Sequence, residues 1–366
     1  MKKILIAAGG TGGHLFPAIA VTEKLKEKFG SEIDFIFFGR DDKLEGRIVP
    51  ELGYRLVTTK VTGLTRDLLT LNSLLLPFRI FSSIVKLCYI IRKERIDAVL
   101  CAGAYLSYPA GVAASLCHRK LYLMESNINP GKTITMLANR ADTLFATFDA
   151  TARYFNDVVK KKIKTCGNPV RQQILADVDK HKALEKFGLD KNKPVVLIFG
   201  GSLGAKPIND AIINALDKFA NCPYQVIWQT GSANLYNIDL PDNVKLVTFI
   251  DDMASAYAAA DLVVSRSGAT TVSELTIVGK ASVLVPLPSA SNNEQMFNAK
   301  YLESSNSALV VNNEDIVKKL FPIVNELMSS PQRLLDMATS AKAMGKPDAG
   351  DKIADIIKDE LMNKEK

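Results

Sequence analysis

A glycine-rich turn near the N-terminus has the composition of an anion or sugar site. Gly9-Gly10-Thr11-Gly12-Gly13-His14 follows a strand-like run and opens a helical run that carries Pro17 in its first turn. Glycines at such a place let backbone N–H groups approach a phosphate or sugar at the positive end of a helix. A dinucleotide fingerprint needs a third glycine where position 15 is leucine, so NAD binding is disfavoured.

His14 is the last residue of this turn and one of only three histidines in the chain. A helix N-terminus lowers the pKa of an imidazole, which would keep His14 neutral and able to accept a proton. We therefore predict that His14 is a general base. The alternative is a histidine that caps or packs against the loop. His118 and His181 are expected at the surface.

Two similar turns lie in the second half of the chain. Gly200-Gly201-Ser202-Leu203-Gly204-Ala205 predicts diphosphate binding by backbone amides and the Ser202 hydroxyl, or else only a tight turn. The segment 266–274 predicts a helix that begins at residues 269–271 and could hold a phosphate there. Glu274, one turn further on, would accept hydrogen bonds from both hydroxyls of a ribose.

Amide side chains cluster at Asn292-Asn293-Glu294-Gln295 and Asn298, and amides suit sugar hydroxyls that need both donors and acceptors. The alternative is a polar loop with a helix cap. No His, Cys and Asp group has metal-ligand spacing, and the pairs Asp41-Asp42 and Asp251-Asp252 are isolated. We expect no metal and no cofactor. Gly131-Lys132-Thr133 lacks the upstream glycine of a nucleotide-triphosphate loop.

Alternating elements position these turns. A chain of 366 residues is long enough for two domains. Strand-like runs alternate with helical-period runs, which indicates βαβ units on parallel sheets, and the glycine turn recurs once in each half. We predict a linker over 171–194 and one helix over 208–219. The predicted strands are 4–8, 34–38, 98–102, 121–124, 143–147, 195–199, 225–229, 245–249, 262–265 and 282–285.

Composition excludes several classes of protein. Apolar residues make up 47% and charged residues 23%, which excludes a disordered or fibrous chain. A net charge of +7 favours anionic partners and leaves nucleic acid, anionic lipid and phosphorylated substrates open. Five scattered cysteines fit a reducing cytoplasm. The first apolar run is too short for a signal peptide, and the uncharged run 98–118 is too interrupted to span a bilayer.

The segment 68–91 is rich in Leu, Ile and Phe on more than one helical face, and Arg92, Lys93 and Arg95 follow it. One interpretation is a helix buried between the sheet and a neighbour. The other is a monotopic patch, in which apolar residues enter a membrane while the flanking cations contact anionic head groups.

Six segments together closely resemble one family. They are 9–14, Glu125-x-Asn127, 167–171, 200–205, 249–253 and 266–274, in this order along nearly the whole chain. The family is the N-acetylglucosamine transferases that make lipid II from UDP-GlcNAc and lipid I in peptidoglycan synthesis. The resemblance implies an α/β GT-B fold, with two Rossmann-like domains whose parallel sheets face each other across a cleft.

The resemblance also implies domain roles. Residues 1–165 would form an N-terminal domain that faces acceptor and membrane. Residues 166–347 would bind UDP-GlcNAc. The C-terminal helix 348–366 follows Pro347 too late for a new strand, so the sequence itself predicts that it packs back on the first domain. The chain departs from the family pattern at Ala104, Met124, Ser126, Leu203 and Glu294.

The resemblance further implies a role for individual residues. His14 is the first candidate base and Glu125 the second. The remaining positions would bind substrate: Thr11, Gly12, Gly13 and Asn127 at donor sugar and acceptor; Arg171 and Ser202 at the diphosphate; the Ile250 backbone at uracil; Ala269, Thr270, Thr271, Val272 and Ser273 along the nucleotide; Glu274 at the ribose; and Glu294 with Gln295 at the GlcNAc hydroxyls.

The expected activity is inverting transfer of GlcNAc from UDP-GlcNAc to the muramyl 4-hydroxyl of lipid I, without an obligatory metal. The expected partners are UDP-GlcNAc, lipid I, an anionic membrane surface and cell-wall assembly proteins, with no nucleic acid. The enzyme would be peripheral, on the cytoplasmic face of the inner membrane. Three alternatives stay open: another GT-B enzyme such as a diacylglycerol glycosyltransferase, a UDP-GlcNAc 2-epimerase, and a non-catalytic nucleotide-sugar binding protein.

Overall fold

The structure, a computed structural model, describes residues 1–63, 71–231, 236 and 238–362. These residues form two compact units, Met1–Arg171 with Pro347–Lys366 and Gln172–Lys346. The division falls at Arg171 rather than after residue 165, because Cys166 is buried in the core of the first unit and Asn168 accepts a hydrogen bond from Ser126 there.

The first unit contains a sheet of parallel strands in the order β3-β2-β1-β4-β5-β6-β7. The five strands predicted in this half are present. The short edge strands β3 and β7 were missed because they are only partly buried and their apolar pattern is brief. The strands are β1 (Lys2–Ala7), β2 (Ile33–Gly39), β3 (Arg55–Thr58), β4 (Ala98–Cys101), β5 (Lys120–Glu125), β6 (Thr143–Ala146) and β7 (Ile163–Thr165).

Helices cover both faces of this sheet, so successive residues of a strand point into different hydrophobic cores. Leu5 and Val99 belong to one buried cluster, whereas Ile4 and Leu100 belong to the other. The helices are α1 (Gly12–Phe29), α2 (Leu44–Glu51), α3 (Leu71–Lys93), α4 (Ser107–Leu116), α5 (Lys132–Leu137) and α6 (Asp157–Lys160), with 3₁₀ turns at Gly30–Glu32, Ala138–Arg140 and Asp149–Tyr154.

The second unit contains a parallel sheet in the order β10-β9-β8-β11-β12-β13. The five strands predicted in this half are present, and the three-residue edge strand β13 was missed. The strands are β8 (Val195–Phe199), β9 (Gln225–Gln229), β10 (Val244–Val247), β11 (Leu262–Ser265), β12 (Ala281–Leu284) and β13 (Ala308–Val310).

The helices of the second unit correct two predictions. The predicted linker contains a helix, α7, whose Ala183 and Leu184 are buried. The predicted single helix 208–219 is two helices, because Ala215 leaves helical geometry at φ −116° and ψ 6°. The helices are α7 (Lys180–Phe187), α8 (Lys206–Ile213), α9 (Leu216–Ala220), α10 (Met253–Ala259), α11 (Ala269–Val278), α12 (Glu294–Ser304), α13 (Ile316–Met328) and α14 (Pro331–Ala343), with 3₁₀ turns at Gln172–Leu175 and Ser291–Asn293.

The last helix, α15 (Ala349–Met362), belongs to the first unit and packs against α1. Its Ile353, Ala354 and Ile357 are buried in the same core as Leu25. Lys28 of α1 forms ion pairs with acidic residues of α15. Apolar burial dominates this contact, since exposed ion pairs contribute little to stability.

Candidate functional site

The glycine turn of the first unit is held by a buried carboxylate. Glu45, at the start of α2, is fully buried, and its oxygens accept hydrogen bonds from the Gly10 N–H at 3.1 and 3.2 Å and from the Arg40 N–H at 3.1 Å. A Cβ atom at Gly9 would overlap the Glu45 carboxyl group. The turn therefore needs both the glycine and the acid. Sequence reasoning missed Glu45, which resembles an ordinary acid of a first helical turn.

His14 lies inside the first turn of α1 rather than at the end of the loop, because the helix already begins at Gly12, and Pro17 lies beyond the first turn. Its Nδ1 is 3.0 Å from the Ala102 carbonyl oxygen. A carbonyl only accepts hydrogen bonds, so in the neutral ring Nδ1 carries the hydrogen and Nε2 is the basic nitrogen.

The pKa of His14 is lowered from its ordinary value, as predicted, but by a different cause. Burial of the ring disfavours the charged form and outweighs the hydrogen bond to Ala102, which raises the pKa. Gly103 provides the space that this ring occupies: its φ is +97°, and a Cβ there would lie 2.7 Å from His14 Nδ1. The structure thus holds a neutral imidazole in one orientation.

Glu125 is 4% exposed and organises the loop after β5. Its Oε1 accepts a hydrogen bond from the Asn127 N–H and its Oε2 one from the Gly131 N–H, both at 2.8 Å. Asn127 is also buried, and its carbonyl accepts a hydrogen bond from the Thr151 hydroxyl at 3.1 Å. Because both oxygens of Glu125 already bind backbone donors, the geometry favours His14 over Glu125 as the base.

The other residues predicted in this unit surround the start of α1. Thr11 and Gly13 are exposed, and Gly12 is the first helical residue. The guanidinium carbon of Arg171 is 5.3 Å from the centre of the Phe16 ring, a cation–π contact that brings a positive charge to the N-terminal part of α1.

In the second unit a tight glycine turn follows β8. Gly201 and Gly204 have φ values of +94° and +79°, and the Gly204 N–H donates to the Gly201 carbonyl at 2.9 Å. Ser202 is exposed on this turn, and α8 begins just after it at Lys206. The packing is close, since a Cβ at Gly231 would overlap the Gly204 backbone.

The segment that would face uracil follows β10. Ile250 is 5% exposed, and its N–H donates to the Gln229 side-chain oxygen at 2.9 Å. This hydrogen bond already uses one of the two backbone groups predicted to bind the base. Asp252 caps α10 through the Ser255 N–H, and its hydrogen bond to Lys186 is the main reason why its pKa falls to about 2.

Helix α11 begins at Ala269, as predicted. Glu274 is 4% exposed, and its Oε2 accepts a hydrogen bond from the Tyr257 hydroxyl at 2.9 Å. Tyr257, which sequence reasoning missed, therefore fixes the orientation of the Glu274 carboxylate, which is predicted to bind the ribose. The other residues predicted to lie along the nucleotide differ in exposure: Val272 and Ser273 are buried, whereas Thr270 and Thr271 are half-buried. The Ser273 hydroxyl donates a hydrogen bond to the Ala269 carbonyl.

The amide cluster is tied to the same turn. The Ser267 hydroxyl donates to the Gln295 carbonyl at 2.8 Å, and the Asn298 amide donates to the Ser267 carbonyl at 3.2 Å. The Gln295 side-chain oxygen accepts from the Leu287 N–H at 3.0 Å. Burial raises the pKa of Glu294. Asn298 thus connects α12 to the turn before α11, and Gln295 and Glu294 lie beside the start of α11.

The predicted residues of each unit therefore gather at the carboxyl ends of its strands, where ligands of parallel α/β sheets bind. Across residues 1–63, 71–231, 236 and 238–362, no group of three or more His, Cys, Asp or Glu side chains is arranged to hold a metal ion.

The apolar helix α3 has two different faces. Leu87 and Ile91 are fully buried in the core of the first unit, as expected for a helix that packs between the sheet and a neighbour. The opposite face carries Phe78, Phe81 and Tyr89, which are 73%, 69% and 61% exposed. Leu68 and Leu69 lie outside the described residues. In the part of the chain that the structure describes, no helix is both long and apolar enough to cross a membrane.

Comparison with known proteins identifies relatives over the full length of the chain. The profile described as "Glycosyltransferase family 28 N-terminal domain" matches residues 4–146, and "Glycosyltransferase family 28 C-terminal domain" matches residues 195–353. A protein of Flavobacterium psychrophilum named "UDP-N-acetylglucosamine--N-acetylmuramyl-(pentapeptide) pyrophosphoryl-undecaprenol N-acetylglucosamine transferase" is 34% identical, covering 97% of this chain and 96% of its own length.

Two further relatives agree. A protein of the same name from Myxococcus xanthus is 37% identical over 98% of this chain and 93% of its own length. The crystal structure of MurG from Acinetobacter baumannii superposes with a TM-score of 0.76 at 27% identity, covering 98% of this chain and 99% of that one.

Proposed function

This chain belongs to glycosyltransferase family 28, among the lipid II-forming N-acetylglucosamine transferases, and from that premise we propose how its residues carry out the transfer. The enzyme has the GT-B fold and moves GlcNAc from UDP-GlcNAc to the muramyl 4-hydroxyl of lipid I, which gives lipid II for peptidoglycan synthesis. Full-length similarity to named transferases is the observation that carries this assignment.

The first unit supplies the base in this proposal. The 4-hydroxyl oxygen of the acceptor attacks the anomeric carbon of GlcNAc, and its proton passes to His14 Nε2. The bond between the anomeric carbon and the β-phosphate oxygen breaks from the opposite face, so the configuration inverts and UDP leaves with the electron pair. The observed hydrogen bond from His14 Nδ1 to the Ala102 carbonyl supports this role because it leaves Nε2 as the acceptor.

The second unit binds the donor in this proposal. Negative charge grows on the diphosphate as the bond breaks, and the amides of the turn at Ser202 and of the start of α11 would stabilise it together with Arg171. Glu274 would bind the ribose, and Glu294 with Gln295 the GlcNAc hydroxyls. Loss of one preorganised donor of this kind costs about 3 kcal/mol in the barrier, a hundredfold or more in rate.

The acceptor is a membrane lipid, and we place the docking surface on α3. Phe78, Phe81, Val85 and Tyr89 follow one another at intervals of a helical turn, and each is more than half exposed. Arg92 and Lys93 are exposed at the end of the helix. An apolar stripe next to cations is the composition of helices that lie in an anionic membrane interface. The enzyme would thus be peripheral on the cytoplasmic face of the inner membrane, near cell-wall assembly proteins.

Transfer is tested with radiolabelled UDP-GlcNAc and a short-chain lipid I analogue, with UDP release followed in parallel and an acceptor-free control. Labelled disaccharide lipid that forms only with this acceptor is the expected result. Transfer to diacylglycerol instead would indicate another lipid glycosyltransferase. UDP release without acceptor would indicate a 2-epimerase, and UDP-GlcNAc binding without turnover would indicate a non-catalytic protein.

Membrane docking is tested by flotation with vesicles that contain phosphatidylglycerol. Phe78→Glu with Phe81→Glu should reduce binding about a hundredfold or more, because burial of each Phe side chain contributes about 1.5–3 kcal/mol. The matched control is Val317→Glu with Leu335→Glu, which changes two residues of similar exposure on the second unit. Equal binding by the two double variants would contradict the placement of the docking surface on α3.

A further inference from the structure

The two loops that would bind the nucleotide flank one strand of the second sheet. Strand β9 lies between β8 and β10. In the last row of the sheet, Gln229 at the end of β9 is in register with Phe199 of β8 and with Val247 of β10. The glycine turn follows β8, and the segment that contains Ile250 follows β10. Gln229 is therefore situated between the two loops.

The side chain of Gln229 bonds to both loops. It is 2% exposed, its Nε2 donates to the Gly201 carbonyl at 3.0 Å, and its Oε1 accepts from the Ile250 N–H at 2.9 Å. An amide carries a donor group and an acceptor group on one rigid plane, so a single side chain can bind one backbone group from each loop. Without the Gln229 side chain, the buried Ile250 N–H would lose this acceptor, and the Gly201 carbonyl would keep only its hydrogen bond from the Gly204 N–H.

The bond to Gly201 also determines where the next amide points. The described part of the chain contains no cis peptide bond, and in a trans peptide the carbonyl and the following N–H point in opposite directions. The Gly201 carbonyl is directed to both the Gly204 N–H and the Gln229 amide, so the N–H of Ser202 is directed to the other side of the turn. This is the amide that would face the diphosphate.

We propose that Gln229 is a positioning residue for the donor site, which fixes the diphosphate-binding turn relative to the uracil-facing segment. The role rests on the proposed binding of UDP-GlcNAc by this unit. Gln229 does not contact the reacting atoms in this proposal. It preorganises amides that would otherwise have to be oriented when the ligand binds, and preorganised dipoles are the main source of electrostatic stabilisation in enzymes.

Gln229→Glu separates the two bonds. The carboxylate keeps an acceptor for the Ile250 N–H but has no hydrogen to donate to the Gly201 carbonyl, so it should disturb the diphosphate turn and spare the uracil segment. The chain offers a matched control, Gln225→Glu. Gln225 is 6% exposed at the other end of the same strand, and its amide likewise bonds to backbone groups, the N–H and carbonyl of Asp190 and the carbonyl of Lys193.

The dissociation constants for UDP and for uridine are measured by calorimetry on the full chain. The melting temperature of each variant is measured as well. We expect Gln229→Glu to weaken UDP binding about tenfold, as for one hydrogen bond to a charged ligand, with uridine binding changed less than about twofold. The UDP-to-uridine preference should stay unchanged in Gln225→Glu, although both variants lose stability. In the transfer assay, Gln229→Glu should raise KM for UDP-GlcNAc and lower kcat.

An unchanged UDP-to-uridine preference in Gln229→Glu would overturn the positioning role while leaving the donor assignment intact. If the unaltered protein bound no UDP, the donor assignment itself would fall and this role with it. Should Gln229→Glu not fold, Gln229→Met removes both bonds at similar volume, and it should then weaken UDP and uridine binding together. Full UDP affinity in a folded Gln229→Met would likewise overturn the proposal.

Discussion

Gly103→Ala tests whether the orientation of His14 matters for the transfer. The Cβ of the alanine would lie 2.7 Å from His14 Nδ1 and 2.8 Å from Cε1, whereas ordinary contacts begin at 3.4 Å. The ring must therefore move by about 0.7 Å, since the opposing atoms belong to the imidazole itself. That movement lengthens or breaks the hydrogen bond between Nδ1 and the Ala102 carbonyl, which contributes about 1 kcal/mol.

The expected loss of activity follows from this displacement. A misplacement of about 1 Å in a catalytic group costs on the order of a hundredfold in rate, so about 0.7 Å should lower kcat between tenfold and a hundredfold. The substitution also strains the backbone, because Gly103 has a φ of +97°, and a side chain in the left-handed region costs about 1–2 kcal/mol.

Gly53→Ala provides the control for this strain. Gly53 has a φ of +78°, and no atom lies within 4 Å of an added Cβ. In denaturant titration, Gly53→Ala should lose only the free energy of unfolding that the backbone strain costs, whereas Gly103→Ala should lose this and about 1 kcal/mol or more for the hydrogen bond of His14. Only Gly103→Ala should lose kcat in the lipid I assay. If kcat of Gly103→Ala stayed within twofold of that of Gly53→Ala, the placement of His14 by Gly103 would not matter and the argument would be refuted.

Three other predictions concern single side chains. Burial lowers the pKa of His14, so kcat/KM should fall as the pH is lowered and the base becomes protonated, with a midpoint below the ordinary value of about 6.5. His14→Gln should remove this acidic fall in kcat/KM and lower kcat about a hundredfold or more. If the acidic fall persisted in His14→Gln, His14 would be excluded as its source. Glu45→Ala leaves the Gly10 N–H unpaired, so the free energy of unfolding should fall by about 1–3 kcal/mol and kcat should fall. The dissociation constant for UDP should stay unchanged, as a check that the second unit is unaffected. Tyr257→Phe removes one hydrogen bond to Glu274, so KM for UDP-GlcNAc should rise about fivefold, while equal affinity for UDP in both proteins would argue against Glu274 as a ribose ligand.

Most of the fold could be predicted from the sequence because its signals are local. Buried parallel strands such as Val195–Phe199 are continuous apolar runs, and alternation with helices dictates parallel sheets. The edge strands β3, β7 and β13 could not be found in this way, since a short and partly exposed strand has little apolar pattern. The break of the predicted helix at Ala215 could not be predicted either, because the apolar residues on both sides of the break are buried as in a continuous helix.

The sequence by itself determined where the glycine turns, the predicted base and the acidic and amide residues occur, because each follows a strand within a few positions. Only the tertiary structure decided what holds them. Glu45 binds Gly10 from 35 residues away, and Gln229 reaches Gly201 and Ile250 across 28 and 21 residues. Such hydrogen bonds connect segments at the carboxyl ends of neighbouring strands, and the order of the strands is a property of the folded topology that no local pattern of residues records.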